Sequence, residues 1–207
     1  MFDWLKKIFR EDGTLFFPSR PTRLPSCRIR TISDSDFSLC EEIYRLNEPG
    51  RFPDGYFNVF SDWLRNKKAY FLVVEVEGTI RGFGGVGIYQ HDIAEVCTLS
   101  FGMVHPTFHK QGFGTALLLA RLATLPKPKK YWTVLLSTTG GSETFYSRFG
   151  FFFLQRERGA ESEIEFDYYN SRLLEKQWSE CRAILNRAGI ILEHSDAEIP
   201  VTTLSST

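Results

Sequence analysis

The 207-residue sequence predicts an α+β fold, with a mixed and mostly antiparallel sheet flanked by helices. Three apolar segments separated by short turns, Tyr70 to Val76, Ile80 to Tyr89 and Ile93 to Val104, indicate an antiparallel meander. A helical segment from Gly112 to Leu125 and a strand from Tyr131 to Ser137 follow, which is the order of a parallel crossover. With 43% hydrophobic and 24% charged residues, the chain can bury a sizeable core.

The remaining elements are placed by capping residues, turns and periodicity. They are strands at Arg28 to Ile32, Phe151 to Arg156 and Glu163 to Tyr168, and helices from Ser33 to Leu46, Tyr56 to Asn66, Ser142 to Phe149 and Ser171 to Arg187. We therefore expect a core domain over residues 26–169. An amphipathic helix and a Pro-rich linker (residues 1–25) precede it, and a helix with a polar, frayed tail (residues 170–207) follows it.

Charge, cysteine content and hydropathy exclude several classes of protein. The 25 basic and 25 acidic residues cancel, which removes an overall electrostatic argument for nucleic acid binding. The four cysteines are scattered singly, so neither a metal site nor a disulfide framework is expected. No apolar stretch approaches the roughly 20 residues of a membrane span, and no secretion signal is recognisable, so we expect a cytoplasmic protein.

A short amphipathic helix is predicted at residues 2–10, with Lys6, Lys7 and Arg10 on its polar side. In one interpretation this helix holds the protein on a membrane surface. In the other it docks on its own domain or on the second subunit of a homodimer.

The segment between the third strand and the crossover helix reads VHPTFHKQGFGT, residues 104–115. The first turn of a helix exposes unpaired N–H groups, and glycine lets the backbone approach a phosphate, so this loop is a candidate pyrophosphate cradle. Residues 105–132 also hold five Lys or Arg and no acidic residue. The pattern is neither the P-loop nor the dinucleotide fingerprint. Alternatively, Gly112 and Gly114 serve only a tight turn.

A second motif, FYSRFGF at residues 145–151, combines a short helix, a glycine C-cap and an apolar strand. Tyr146 within it has two interpretations. It is a packed aromatic residue, or its phenol, with an ordinary pKa of about 10, stays protonated at neutral pH and can donate a proton to a departing thiolate.

Together the two motifs resemble the GNAT superfamily of acyl-CoA-dependent N-acyltransferases. The family pattern Q/R-x-x-G-x-G/A falls on residues 109–114, with His109 at its first position and Lys110 where glycine is common. The second motif matches at Tyr146, Gly150 and Phe151. Residues 28–168, roughly two thirds of the chain, have the family's order of elements.

The resemblance implies a GNAT-type sheet whose fourth and fifth strands, here Ile93 to Val104 and Tyr131 to Ser137, splay apart. Acetyl-CoA would enter this gap as the co-substrate, without a metal ion. Backbone groups of Met103 and Val104 would pair with its pantetheine arm. The pyrophosphate would contact the loop and the helix start, namely His109, Lys110, Gln111, Gly112, Phe113, Gly114 and Thr115.

The implied reaction is direct attack of a neutral primary amine on the thioester, with Tyr146 protonating the leaving sulfur. The amine must first lose a proton, and the fourth strand offers Glu95, Thr98 and Ser100 for this, with His91 at its entrance. Glu95 is the candidate base, although strand alternation places it on the apolar face unless a bulge intervenes. Alternatively, Glu95 is a solvated charge at the end of the strand.

Strand alternation also assigns faces to the other residues of this strand. Thr98 and Ser100 share one face, where they could hold a proton-conducting water. Cys97, Leu99 and Phe101 are expected together on the opposite face.

The sequence thus predicts an N-acetyltransferase that moves acetyl from acetyl-CoA to a primary amine of a small molecule or protein. The alternative is a non-catalytic acyl-CoA-binding regulatory or interaction module of the same fold. Acidic residues at 157, 161 and 163 either attract a cationic amine or form a solvated surface. Four aromatic residues of the second helix either line the acceptor site or belong to the core: Tyr56, Phe57, Phe60 and Trp63.

Overall fold

The computed structural model describes residues 13–17, 23–48, 52, 55–91, 94–139, 141–158, 165–194 and 199–203; the helix predicted at residues 2–10 lies outside them. The strands within these ranges are β1 (Arg28–Thr31), β2 (Tyr70–Val76), β3 (Thr79–His91), β4 (Ala94–Val104), β5 (Tyr131–Thr138), β6 (Phe152–Arg158), β7 (Glu165–Leu174), β8 (Ile191–Glu193) and β9 (Val201–Thr203). The α-helices are α1 (Phe37–Asn47), α2 (Tyr56–Arg65), α3 (Phe113–Thr124), α4 (Glu143–Ser147) and α5 (Glu175–Arg187). Two 3-10 turns occupy Asp34–Asp36 and Pro106–Phe108.

These strands pair into one sheet in the order β6-β7-β5-β4-β3-β2-β1-β8, and β9 pairs with β3. Strands β1 to β4 form one antiparallel run, and β5, β7 and β6 form a second. The two runs join through the parallel pair β4 and β5, whose crossover is α3. The predicted mixed, mostly antiparallel sheet flanked by helices is confirmed.

Strands β4 and β5 are paired over only part of their length. Their register runs from Glu95 opposite Trp132 to Leu99 opposite Leu136. Beyond this point β4 continues to Val104 on its β3 partner. Within the described residues, the backbone groups on the β5 side of this segment have no ladder partner, so the middle of the sheet holds a gap.

Helices cover both faces of the sheet. Helices α3 and α5 lie together on one face, over a core that includes Leu72, Cys97 and Leu118. Helices α1 and α2 cover the other face, where Tyr44 and Phe60 are fully buried. The α3 residues 115–123 are all buried, because this apolar helix is enclosed by the sheet and α5.

The C-terminal region differs from the prediction at two points. The helix expected from residue 171 begins at Glu175, because residues 171–174 continue β7 and pair with β5. The tail expected to be frayed contributes β9, which lies parallel to residues 88–90 of β3. The pairing of β2 with β3 ends at Val86, so this edge of β3 is open to a further strand.

Candidate functional site

A cavity of about 1000 Å³ opens at the gap between β4 and β5. Its walls come from both strands, from the loop and first turns of α3, and from α4. Side chains of α1, α2, β6 and β7 also line it. This volume lies at the upper end of the range for small-molecule sites, so the cavity has room for an extended ligand.

The loop before α3 is fixed by its own side chains. His109 Nε2 donates a hydrogen bond to the carbonyl oxygen of Val104 at 2.8 Å, which ties the loop to the last residue of β4. Gln111 Nε2 donates to the carbonyl oxygen of Thr107 at 3.0 Å. Lys110 has a left-handed backbone with a φ of 60°, a conformation that glycine adopts more easily.

Gly112 is the N-cap of α3, with a φ of 92°. A Cβ here would lie 3.0 Å from both the carbonyl oxygen of Arg23 and the Cδ of Pro25. The Ala116 N–H donates to the Gly112 carbonyl at 3.0 Å, so the N–H groups of residues 113–115 have no partner within the helix. These donors form the positive end of the helix dipole and suit an anion.

Basic side chains stand near these donors. His109, Lys110 and Arg148 line the cavity, and Arg148 Nη2 donates to Thr115 Oγ1 at 2.9 Å. This bond joins α4 to the first turn of α3. Glu157 on β6 is the one carboxylate among the described residues that line the cavity.

Strand β4 carries a bulge beside the cavity. Its residues Phe101 and Gly102 oppose a single residue of β3, Gly84, because the register shifts between Ser100 and Met103. Phe101 has a left-handed φ of 47°. A bulge leaves backbone groups of the extra residue unpaired, so β4 presents free main-chain donors at this point.

The bulge overturns one expectation about the faces of β4. Cys97 and Leu99 do lie in the core beneath α3. Phe101 instead packs against Phe60 and Trp63 on the opposite face, with ring centroids 5.2 and 5.8 Å away. The expected common face for all three residues is wrong, because the extra residue reverses the alternation.

Polar atoms of β4 line the cavity around this bulge. Thr98 and Ser100 both contribute to the wall, as do Met103 and Val104. Ser100 Oγ is buried without a hydrogen-bond partner among the described residues. A buried hydroxyl in this state calls for a water or a ligand group. The Val104 carbonyl also accepts from Asn47 Nδ2 at 3.1 Å.

Tyr146 lines the cavity from α4. Its half-buried ring is held edge-on by Phe145 and Phe151, with ring centroids 5.0 and 5.6 Å away. The structure therefore brings Tyr146, Ser100 and the start of α3 to one cavity.

Glu95 stands apart from these residues. It lies on the paired part of β4, opposite Trp132, and is not part of the cavity wall. Its Oε2 accepts a hydrogen bond from the Lys129 N–H at 3.0 Å, and the residue is half-buried. The structure does not bring Glu95 together with Tyr146 and Ser100. The side chain of His91 lies outside the described part of the chain.

The aromatic residues of α2 divide between core and cavity. Phe57 and Phe60 pack on Tyr44, with ring centroids 5.5 and 4.6 Å away. Tyr56 and Trp63 line the cavity. Phe57 and Phe60 therefore belong to the core, whereas Tyr56 and Trp63 face the cavity.

Aromatic rings and one carboxylate form the cavity wall between α2 and β7. Tyr56 lies 5.7 Å from Phe166, measured between ring centroids, and Tyr168 and Glu157 line the same wall. Burial raises the pKa of the Tyr56 phenol, and burial together with Glu157 raises that of Tyr168. Both phenols are therefore neutral at pH 7. The other two acidic residues predicted here lie outside the described residues.

Arg121 on α3 also lines the cavity, and it was not among the predicted site residues. It is 2% exposed and follows five residues that are all Ala or Leu. A single charge inside an apolar helical run is the signal that could have identified it.

Among the residues that the structure describes, the cavity wall holds neither a thiol nor a recognisable metal site. Cys27, Cys40, Cys97 and Cys181 are buried and form no disulfide. Burial raises the pKa of Cys97, and it raises that of Cys27 to about 11, which makes both thiols poor nucleophiles. Over the ranges described, no three His, Cys, Asp or Glu side chains are grouped to hold a metal ion. None of the helices in those ranges is long and apolar enough to cross a membrane.

Comparison with known proteins gives the same fold. The chain matches the model of the Acetyltransferase (GNAT) family over residues 37–151. Ard1 from Thermoplasma volcanium aligns with a TM-score of 0.59 and 19% identity, over 73% of this chain and 100% of that one. The ribosomal-protein-S18-alanine N-acetyltransferase from Escherichia coli aligns with a TM-score of 0.53 and 18% identity, over 70% and 93%. The yncA protein from Salmonella typhimurium, solved with its cofactor acetyl-CoA, gives 0.53 and 14%, over 72% and 95%.

No curated protein sequence matches the chain. The family match nevertheless covers more than half of its length, and it includes the β4 bulge, the loop before α3 and Tyr146. The chain therefore belongs to the GNAT acetyltransferase family, which supports an acyltransferase activity.

Proposed function

We propose that this protein is an N-acetyltransferase that moves acetyl from acetyl-CoA to a primary amine. One observation carries the proposal: unpaired β4 backbone, the anion-binding start of α3 and the Tyr146 phenol converge on a single cavity. A thioester with a diphosphate tail needs these three features, since its amides, its phosphates and its leaving sulfur each require a partner.

Different residues of the cavity bind different parts of acetyl-CoA. Main-chain groups of Met103 and the N–H of Val104 pair with the amides of the pantetheine arm, since the Val104 carbonyl already accepts from His109 and Asn47. The segment from His109 to Thr115 holds the pyrophosphate, and Lys110 and Arg148 contribute positive charge. Phe113, which is buried, contributes its backbone N–H only.

The chemistry is a direct transfer. The C–N bond forms as the C–S bond breaks, and a free N–H of the β4 bulge polarises the thioester carbonyl. Tyr146 donates its proton to the leaving sulfur, and the proton that the nitrogen releases as the amide forms restores the phenol. The ammonium of the acceptor loses its proton through a water held by Ser100 and Thr98. Direct attack is favoured over an enzyme-bound acyl group, because the buried cysteines are not part of the cavity wall.

The wall between α2 and β7 is where the acceptor binds. Tyr56, Trp63 and Tyr168 present ring surfaces there, and Glu157 presents a carboxylate. Rings attract cations through their faces, so this wall suits an amine carried on an apolar or aromatic body.

The experiment is a CoA-release assay with arylalkylamines, polyamines and peptides with free N-termini. We expect turnover with at least one class, and Tyr146→Phe should lower kcat about 100-fold while the affinity for acetyl-CoA stays unchanged. Tyr131→Phe, at the start of β5 and outside the cavity wall, is the control. Tight acetyl-CoA binding without release on any amine would favour the non-catalytic module instead.

A further inference from the structure

Arg121 is a cavity residue that the reaction above does not use. It lies in the last turn of α3, is 2% exposed, and is flanked in sequence by Ala and Leu. Nine residues separate it from the Gly112 N-cap, a distance of about 14 Å along a helix. Arg121 therefore lies well beyond the first turn of α3, and its side chain interacts with that of Tyr146.

The guanidinium of Arg121 lies against the β4 bulge. A Cβ on Gly102 would be 2.8 Å from Nη2, and a Cβ on Gly84 would be 3.1 Å from Nη1. The guanidinium reaches this position because both facing residues are glycine. Gly102 is one of the two bulge residues, so Arg121 lies directly beneath the backbone that polarises the thioester.

The charge of Arg121 has no acidic partner among the described residues. Its Nε is buried without a hydrogen-bond partner, and no carboxylate there forms an ion pair with it. Burial lowers the pKa of Arg121, and interaction with the Tyr146 side chain opposes this effect. Arginine nevertheless remains charged in proteins. An uncompensated buried charge is strongly unfavourable, so a site of this kind is suited to a ligand that brings the opposite charge.

We propose that Arg121 binds an anionic group at the thioester end of the acyl donor. This inference rests on the proposed function and names a further subsite of the same cavity. Two groups of an acyl donor carry the required negative charge. When the C–S bond breaks, its electron pair stays on sulfur, and Arg121 holds the resulting thiolate until the Tyr146 proton arrives. Alternatively, Arg121 holds the terminal carboxylate of a short dicarboxylic acyl chain and so selects the acyl group.

Calorimetric titration of four ligands at pH 8 distinguishes between these two groups, since a free thiol with a pKa of about 8.5 is then partly ionised. The ligands form two matched pairs, CoA with desulfo-CoA and succinyl-CoA with butyryl-CoA. Arg121→Met should lose at least tenfold in affinity for CoA but not for desulfo-CoA if the anion is the thiolate. It should lose at least tenfold for succinyl-CoA but not for butyryl-CoA if the anion is a carboxylate.

Two further variants make the comparison specific to the charge. Arg121→Lys should retain most of the preference that Arg121→Met loses. Arg187→Met, an exposed substitution at the end of α5, should bind all four ligands as the wild type does. The proposal is overturned if Arg121→Met binds all four with wild-type affinity or weakens all four equally. If the wild type binds none of them, the proposed function fails as well.

Thermal unfolding of the ligand-free protein provides a second readout. Because Arg121→Met removes a buried charge without an acidic partner, its melting temperature should equal or exceed that of the wild type. A purely structural arginine would behave differently. A melting temperature many degrees lower, together with an equal loss for all four ligands, would assign Arg121 to the core and overturn the proposal.

Discussion

The Nε2 atom of His109 lies 2.8 Å from the carbonyl oxygen of Val104, so the loop that opens α3 is bonded to the end of β4. Asn47 Nδ2 reaches the same oxygen at 3.1 Å. The Val104 carbonyl is therefore satisfied by two side chains, and the loop is organised before a ligand binds. The family pattern places Gln or Arg at the position of His109, and both can donate to this carbonyl.

The first prediction concerns this bond. His109→Gln should keep the affinity for acetyl-CoA within about threefold, because Gln retains a donor. His109→Ala removes a bond worth about 1 kcal/mol and should weaken binding about fivefold. Calorimetric titration measures both variants. An equal loss in both would mean that the imidazole acts in some other way.

The second prediction compares two glycines with positive φ. Gly112→Ala and Gly78→Ala both place an alanine in a left-handed conformation, at 92° and 75°, which costs about 1 kcal/mol or more. Only a Cβ on Gly112 meets neighbours, namely the 23–25 segment at 3.0 Å. Urea denaturation should therefore show the larger destabilisation for Gly112→Ala.

The same pair of variants tests the anion site. Only Gly112→Ala should weaken acetyl-CoA binding, by roughly tenfold or more. The added methyl group pushes the start of α3 away from residues 23–25 and so displaces the free N–H groups of the helix. The added methyl group points toward residues 23–25, so the effect does not require contact with the ligand. Unchanged affinity in Gly112→Ala would contradict the cradle.

The third prediction separates the two β4 candidates for proton removal. Glu95→Gln should leave kcat/KM within about twofold, since Glu95 lies outside the cavity wall and accepts a hydrogen bond from the Lys129 N–H. Ser100→Ala should lower it about tenfold, because the cavity loses the hydroxyl that holds the water. Steady-state kinetics on any accepted amine tests the pair. The reverse order of effects would make Glu95 the base.

The fourth prediction concerns acid stability. Burial raises the pKa of Asp36, but hydrogen bonds from Arg30 Nη1 at 2.7 Å and from the Ser33 N–H at 2.7 Å outweigh it and hold the pKa at about 2. The folded-state pKa is thus below the unfolded value of about 3.9, so the stabilisation is complete above pH 4 and is lost as the pH falls to 2. Its size is about 2 kcal/mol.

Urea denaturation between pH 2 and pH 6 measures this contribution. Asp36→Asn should be less stable than the wild type at pH 6. Its free energy of unfolding should also change less between pH 4 and pH 2. Asp34→Asn is the matched control, because Asp34 lies in the same 3-10 turn with its side chain 77% exposed. If the free energy of unfolding of Asp36→Asn fell with pH as steeply as that of the wild type, another group would be responsible for the acid sensitivity.

Local signals allowed much of this fold and site to be predicted. The meander, the loop before α3 and the short helix of Tyr146 each depend on nearby residues, namely turns, glycines and caps. The bulge at Phe101 could not be predicted in this way, because it arises from pairing with Gly84 on another strand. Strand periodicity alone cannot detect an extra residue of this kind.

Tertiary packing decided the remaining assignments. The helical spacing of the four aromatic residues of α2 distributes them around the helix. Only packing on Tyr44 determines that Phe57 and Phe60 enter the core. The charge total over residues 105–132 includes Arg121, but such a total does not distinguish a buried arginine from an exposed lysine. Its position within an apolar helix is the more informative property.

The parallel pairing of β8 with β1 has a consequence for folding kinetics. Arg28 lies opposite Ile191, so this side of the sheet joins segments from opposite ends of the described chain. Closing so long a loop is entropically costly and slows folding. During synthesis β1 would wait, with an open edge, until the ribosome has released β8. We therefore expect refolding on the scale of seconds rather than milliseconds, and aggregation of chains that stall before α5 is complete.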